Sequence, residues 1–269
     1  MYFNALRACL ALAAGLALLH GCSIREDRTQ CPRYVTVDLS EVRAQELMDE
    51  GYETLHLGLV PATDAGLMSA GRTSLPLESL PREVEFETSR EELRLWGICC
   101  DALDYSGEGE IIIPKGSACP SFYGFRAIVA ESGDTVVPMQ LHKDFCNVSI
   151  RFREGYSRSC GYSISGTVCG CDGEGNPIDG EFEHNLEPDA DGNCSVCIPR
   201  QKDGSLRLRI SGGEEVLRVF AIGEYILQSG YDWTAADLED ISVTVSFVSS
   251  TATFSIDMWQ KSIIIDVEL

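Results

Sequence analysis

Cys169-Gly-Cys171 and Cys194-Ser-Val-Cys197 put four thiols in two close pairs, a spacing that suits either a tetrahedral zinc ion or disulfides. Asp172-Gly-Glu174-Gly-Asn176-Pro177, with Glu183 in twelfth place, sets oxygens where a calcium loop has its first, third, fifth and twelfth ligands. Pro177 stands where such a loop needs glycine, and no helix pattern flanks it, so the Gly, Asn, Pro and Asp residues of this stretch are expected to make a long hairpin turn instead. His56, His142 and His184 are spread over predicted strands and loops, and the chain has no Gly-x-Ser-x-Gly elbow, phosphate loop or His-Glu-x-x-His pair. Neither an enzyme nor a cofactor or metal protein is expected.

The chain has 269 residues and a formal net charge of −21. The first 21 residues hold one basic side chain, Arg7, and no acidic one, so without them 20 basic residues face 42 acidic ones. A surface so negative repels phosphate backbones, and nucleic acid is not an expected partner.

The N-terminus explains two of the twelve cysteines. After Arg7, Cys9 to Leu19 is an apolar run of about 11 residues, the length of a signal-peptide core and well short of the ~20 needed to span a bilayer. The run closes in Leu19-His20-Gly21-Cys22, which resembles the lipobox of bacterial lipoproteins. That implies removal of residues 1–21 and acyl chains (diacylglycerol and palmitate) on the Cys22 thiol, with 22–32 as a polar tether to outer-membrane lipid. Ten cysteines then remain: Cys31, Cys99, Cys100 and Cys119 in the first half, and Cys146, Cys160, Cys169, Cys171, Cys194 and Cys197 in the second. In an exported chain these are disulfide candidates, and an even number per half suits bridges closed within each half. Adjacent Cys99 and Cys100 on a strand point to opposite faces and should take different partners.

Strands must carry these residues. Val35, Val37 and Leu39 alternate with polar residues, as do Leu55, Leu57 and Leu59, Val84 and Phe86, and Leu93 and Leu95. Further strands are expected at Ile111–Ile113, Phe122–Ala130 and, as a hairpin arm, Asp134–Leu141. From Phe145 a second series follows: Val148–Phe152, Gly161–Val168, Glu181–Leu186, Ser195–Ile198, Leu206–Ile210, Val216–Ala221, Ile241–Phe247, Thr251–Ile256 and Ser262–Val267. Short strands about ten residues apart, with Gly, Asn and Asp between them, indicate an all-β sandwich fold. There are too many for one sandwich, so domains are expected at 33–143 and 144–269. Short helical turns are expected within Leu39–Glu50 and at Thr234–Leu238, with Thr234 as cap.

Two stretches at opposite ends carry a family resemblance. Ser23-Ile-Arg-Glu-Asp-Arg-Thr-Gln-Cys-Pro-Arg-Tyr-Val-Thr-Val-Asp-Leu-Ser40 resembles the opening of FimB/Mfa-type fimbrial anchor subunits. Gly223-Glu-Tyr-Ile-Leu-Gln-Ser-Gly-Tyr-Asp-Trp233 and Asp237-Leu-Glu-Asp-Ile241 resemble that family's C-terminal domain, and Leu141-His-Lys-Asp-Phe145 its domain junction. The resemblance implies two transthyretin-like β-sandwiches in tandem and a lipid-held base for a type V fimbrium at the cell surface. It also implies a fimbrial stalk subunit as partner, strand exchange with that pilin and control of fibre length. The strand offered for exchange is expected to be Ser262–Leu269 or Arg33–Leu39. A surface glycan- or nutrient-binding lipoprotein is the alternative, with Trp96, Tyr105, Tyr123 and Trp233 as available aromatics.

Overall fold

Apolar side chains at every second residue give a strand one dry face, and most of the described chain consists of such segments. The computed structural model describes residues 32–62, 71–100, 109–131, 133–213, 215–248, 251–258 and 261–268. The first half contributes β1 (Arg33–Asp38), β2 (Thr54–Pro61), β3 (Gly71–Pro76), β4 (Glu83–Thr88), β5 (Leu93–Cys100), β6 (Ile111–Ile112), β7 (Phe122–Val129), β8 (Thr135–Pro138) and β9 (His142–Lys143). The second half contributes β10 (Phe145–Phe152), β11 (Gly161–Cys171), β12 (Pro177–Leu186), β13 (Asn193–Pro199), β14 (Arg207–Gly212), β15 (Glu215–Phe220), β16 (Ile241–Val248), β17 (Thr251–Met258) and β18 (Lys261–Glu268). Helix among the described residues amounts to α1 (Ala44–Asp49), a 3-10 turn at Leu77–Ser79 and α2 (Ile222–Gln228).

The strands form four sheets, and the chain is all-β as its alternation predicts. Order β4-β1-β8 faces order β3-β2-β5-β7-β9 across one core; order β13-β10-β16-β17-β18 faces order β12-β11-β14-β15 across another. Val35 and Val37 of β1 meet Leu55, Leu57 and Leu59 of β2 and Leu93 and Leu95 of β5 in the first core. Val148 and Ile150 of β10 meet Ile164 of β11, Phe182 of β12 and Phe254 of β17 in the second. Burying one such side chain contributes roughly 1.5–3 kcal/mol, so each core outweighs any single surface contact.

A third cluster joins the halves. Trp96 and Ile98 of β5, Ile111 of β6 and Phe122 of β7 come from the first half, and Phe145 of β10 and Cys171 of β11 from the second. β6 leaves its own half and pairs antiparallel with the end of β11, Ile112 opposite Gly170 and Ile111 opposite Cys171. Gly170 is required there: its φ is +149°, and a Cβ would sit 1.9 Å from the Ile111 carbonyl oxygen.

Two local expectations need correction. Residues 234–238 do not form a helical turn. Asp232 Oδ1 accepts from the Thr234 amide and hydroxyl at 2.8 and 2.6 Å, while Arg200 draws the carbonyls of Trp233, Ala235 and Ala236 that a helix would use internally. Residues 134–141 do not make a hairpin arm with a sequence neighbour, because β8 pairs parallel with β1. Strand β3 and helix α2 were not expected; α2 buries only Ile222, Gly223 and Ile226, too short a face to stand out in the pattern. Within Leu39–Glu50 the expected helix is present as α1.

Candidate functional site

The single residue between β9 and β10, where the two cores meet, is held from several sides. Asp144, nine-tenths buried, receives Arg126 of β7 at 2.8 Å on one carboxylate oxygen and Arg200 at 2.9 Å on the other. Arg126 also reaches the Cys171 sulfur at 3.1 Å, and Arg200 also binds the carbonyls of Trp233, Ala235 and Ala236. One acid and two guanidiniums thus tie β7, the linker, the segment after β13 and the 233–236 loop together.

That loop closes over the linker by its own bonds. Asp237 accepts from the Lys143 amide at 2.8 Å and meets His142 at 3.3 Å, and the Leu238 amide donates to the Lys143 carbonyl at 3.0 Å. Asp240 accepts from the Asn147 amide at 2.8 Å and pairs with Lys143 at 2.6 Å. Leu141–Phe145 and Asp237–Ile241, two of the stretches that carry the family resemblance, are therefore in contact. The role of Asp144 was not foreseen, since its partners lie far off in sequence.

Sheet edges are the other feature with capacity for binding. β1 is hydrogen-bonded on both sides, to β4 and to β8, so its backbone is occupied. Among the described residues β18 ends its sheet and pairs only with β17, from Thr251–Glu268 to Met258–Lys261. Ile263, Ile265 and Val267 lean on the second core, while Ile264 on the other face is 70% exposed. β15 is a second edge strand, and Val216, Leu217 and Val219 are exposed on it, which the sequence alternation had not singled out. A free edge carrying apolar side chains is a template for another strand.

The cysteines distribute as follows. Cys22 and Cys31 lie outside the described residues. Cys99 is buried in the first core and Cys100 faces the junction cluster, so the two do point to opposite sides of β5. Cys119 and Cys146 are buried in the second core, with Cys160, Cys194 and Cys197 against its rim, and Cys169 is half-buried on β11. No disulfide joins the nine described cysteines. The described residues hold no group of three or more His, Cys, Asp or Glu arranged to bind a metal. His56 meets Ser74 at 2.8 Å, and burial lowers its pKa. His184 sits on β12, with its Nδ1 lacking a hydrogen-bond partner among the described residues.

Asp172 spends its carboxylate on a turn. Its Oδ1 accepts from the Glu174 and Asn176 amides at 2.9 and 2.8 Å, and its Oδ2 from the Asn176 side chain at 3.1 Å. Glu183 lies along β12 opposite Ser165, away from that turn. The same five-residue device recurs at Asp189-Ala-Asp-Gly-Asn193, where Asp189 Oδ1 accepts from the Asp191 and Asn193 amides at 2.9 and 2.8 Å. Both follow the pattern Asp-x-x-Gly-Asn, with Gly175 and Gly192 at φ +85° and +80°. The Asn193 amide, then its side chain, hold the Asp189 carboxyl below the usual range. A depressed folded pKa means a contribution present above ~3.9 and lost as pH falls further. Amide exchange at Asp191 and Asn193 should therefore quicken as pH drops below that value, beyond the intrinsic trend, and Asp189→Ala should abolish the effect.

No protein-family model and no curated protein sequence matches the chain. Solved structures do. The fimbrial anchor protein Mfa2 of Porphyromonas gingivalis superposes with a TM-score of 0.59 at 10% identity, over 85% of this chain and 98% of that one. A candidate adhesin of Bacteroides ovatus gives 0.55 at 11% identity, over 90% and 97%. A Bacteroides thetaiotaomicron protein described as a candidate polysaccharide binder gives 0.54 at 9%, over 88% and 98%. At these identities the likeness is one of architecture, and over most of its length this chain carries the fold of the Mfa2-type fimbrial proteins.

Proposed function

We propose that this chain is the base subunit of a type V fimbrium. In this reading acyl chains on Cys22 hold it at the outer face of the outer membrane, residues 22–32 form the tether, and two tandem sandwich domains, 33–143 and 144–269, stand above it. The stalk subunit joins through a shared strand, and a base so occupied limits fibre length. The role is structural, with no chemistry asked of the protein. The observation that carries the reading is the free edge of β18, apolar on alternate residues, on a fold shared with a fimbrial anchor. Main-chain bonds along such an edge supply strength, and alternate side chains supply specificity. Glycan capture would ask for exposed aromatic faces, and Trp96 and Trp233 are buried.

The test is a charge on the edge. Ile264→Lys touches no core contact and should leave the melting temperature within 2 °C or so of the parent, since exposed substitutions rarely move stability by more than ~0.5 kcal/mol. It should reduce capture of purified stalk subunit at least tenfold. Val219→Lys on β15 serves as the comparison and should leave capture unchanged; the reverse pattern would move the contact to β15 and refute the proposed edge.

A further inference from the structure

Cys119 and Cys197 enter one buried corner from opposite halves of the chain. Cys119 lies in the segment between β6 and β7, and Cys197 lies on β13. Their sulfurs are 3.3 and 3.4 Å from the same acceptor, the Pro120 carbonyl oxygen, and the thiols are within hydrogen-bonding reach of one another. Cys119 is buried and Cys197 half-buried. Cys100 and Cys171 border the same corner.

Four sulfurs in one place invite a zinc reading. Two observations oppose it: no group of three or more ligands among the described residues has metal-holding geometry, and Cys171 faces the Arg126 guanidinium at 3.1 Å, a cation beside the would-be ion. Oxidation of the two closest thiols fits the geometry better.

We propose that Cys119 and Cys197 form a disulfide that staples the segment before β7 to β13, across the junction and not within either half. The inference rests on the chain being exported, since reducing compartments keep such pairs open. The oxidant is a disulfide-bearing thiol oxidoreductase. The Cys197 thiol, the more exposed, loses its proton and attacks that disulfide, giving a mixed disulfide and releasing one oxidant thiol. The Cys119 thiolate then attacks the Cys197 sulfur and expels the second, so two protein thiols become one disulfide while the oxidant becomes a dithiol. Burial pushes the Cys119 thiol well up, which places the second step during folding, before the corner closes. Cys171, at the border of this corner, meets Arg126 of the Asp144 triad at 3.1 Å, and in the proposed reading the bond lies between a lipid attached ahead of the first half and a fibre attached to the second. It would keep the halves from peeling apart under load.

The full mature chain, refolded in mixed reduced and oxidised glutathione, alkylated and digested without reduction, reports the pairing by mass spectrometry. The Cys119 peptide should be recovered joined to the Cys197 peptide, two hydrogens lighter than their sum, and should separate on reduction. Recovery of Cys119 alkylated, or joined to Cys100, Cys146 or Cys171, would overturn the proposal. C119S, C197S and the double variant should lower the unfolding midpoint equally, and additive losses would count against it. The same map on protein alkylated in whole cells keeps the premises apart. A bond formed on refolding but absent in cells would refute export and leave the pairing supported.

Discussion

Replacing Asp144 with alanine should destabilise the protein by about 3–5 kcal/mol, the usual cost of stranding a buried charge. The magnitude follows from what is left behind. Arg126 and Arg200 are each largely buried, at 10% and 15% side-chain exposure, and both point at the carboxylate that the substitution deletes. Arg200 would keep its carbonyl partners in the 233–236 loop, but among the described residues Arg126 would keep the Cys171 sulfur, a long contact to the Gly109 carbonyl at 3.4 Å and the more distant Asp172 carboxylate. The contrast is Arg43–Glu46 on α1, an i,i+3 pair with both side chains 66% exposed. Breaking that pair should cost under ~0.5 kcal/mol, because water and entropy already offset most of it. Urea unfolding of the two variants decides the point, and similar midpoints would show that the junction is not held by the triad. Hydrogen exchange should also rise in the 233–241 loop of the Asp144 variant, since that loop is clasped to the linker it would loosen.

The second large effect concerns attachment. In the proposed reading, Cys22→Ser removes the thiol that the lipobox-like segment offers for acylation, and with it the acyl chains. Each buried methylene contributes ~0.8 kcal/mol, so two or three chains hold the protein almost irreversibly and their loss leaves nothing comparable. Electrostatics offers no substitute, because residues 22–269 set 42 acidic side chains against 20 basic ones and repel an anionic surface. Cells carrying the variant should shed both the protein and its fibres into the medium, with cell-bound fimbriae falling at least tenfold by immunogold counting. Fibres retained at the parental level would mean that something other than this lipid holds them.

How much of this was legible in the sequence depended on range. Strands whose faces differ, such as β1 with Val35 and Val37 or β10 with Val148 and Ile150, could be read directly because a period of two is a local property. Partners were not local. β8 was expected to pair with a neighbour and pairs with β1 instead, and β6 crosses to a sheet of the other half, which only the bare Gly170 permits. The failed turn at 234–238 has the same origin: a cap pattern favoured helix, and a distant arginine took the carbonyls. Of the candidate site, the two Asp-x-x-Gly-Asn turns were readable in principle as a repeated pattern. The Asp144 triad was not, since nothing near residue 144 announces Arg126 or Arg200. The Cys119–Cys197 approach was hidden for the same reason; counting cysteines by halves pointed instead to bridges within each half.

The lipid is the point on which the functional reading turns, and the N-terminal peptide of the protein taken from its native envelope answers it. Its mass should correspond to a chain that begins at Cys22 and bears two or three acyl groups. A chain that begins elsewhere, or an unmodified Cys22, would contradict a lipid-held base whatever the fold above it.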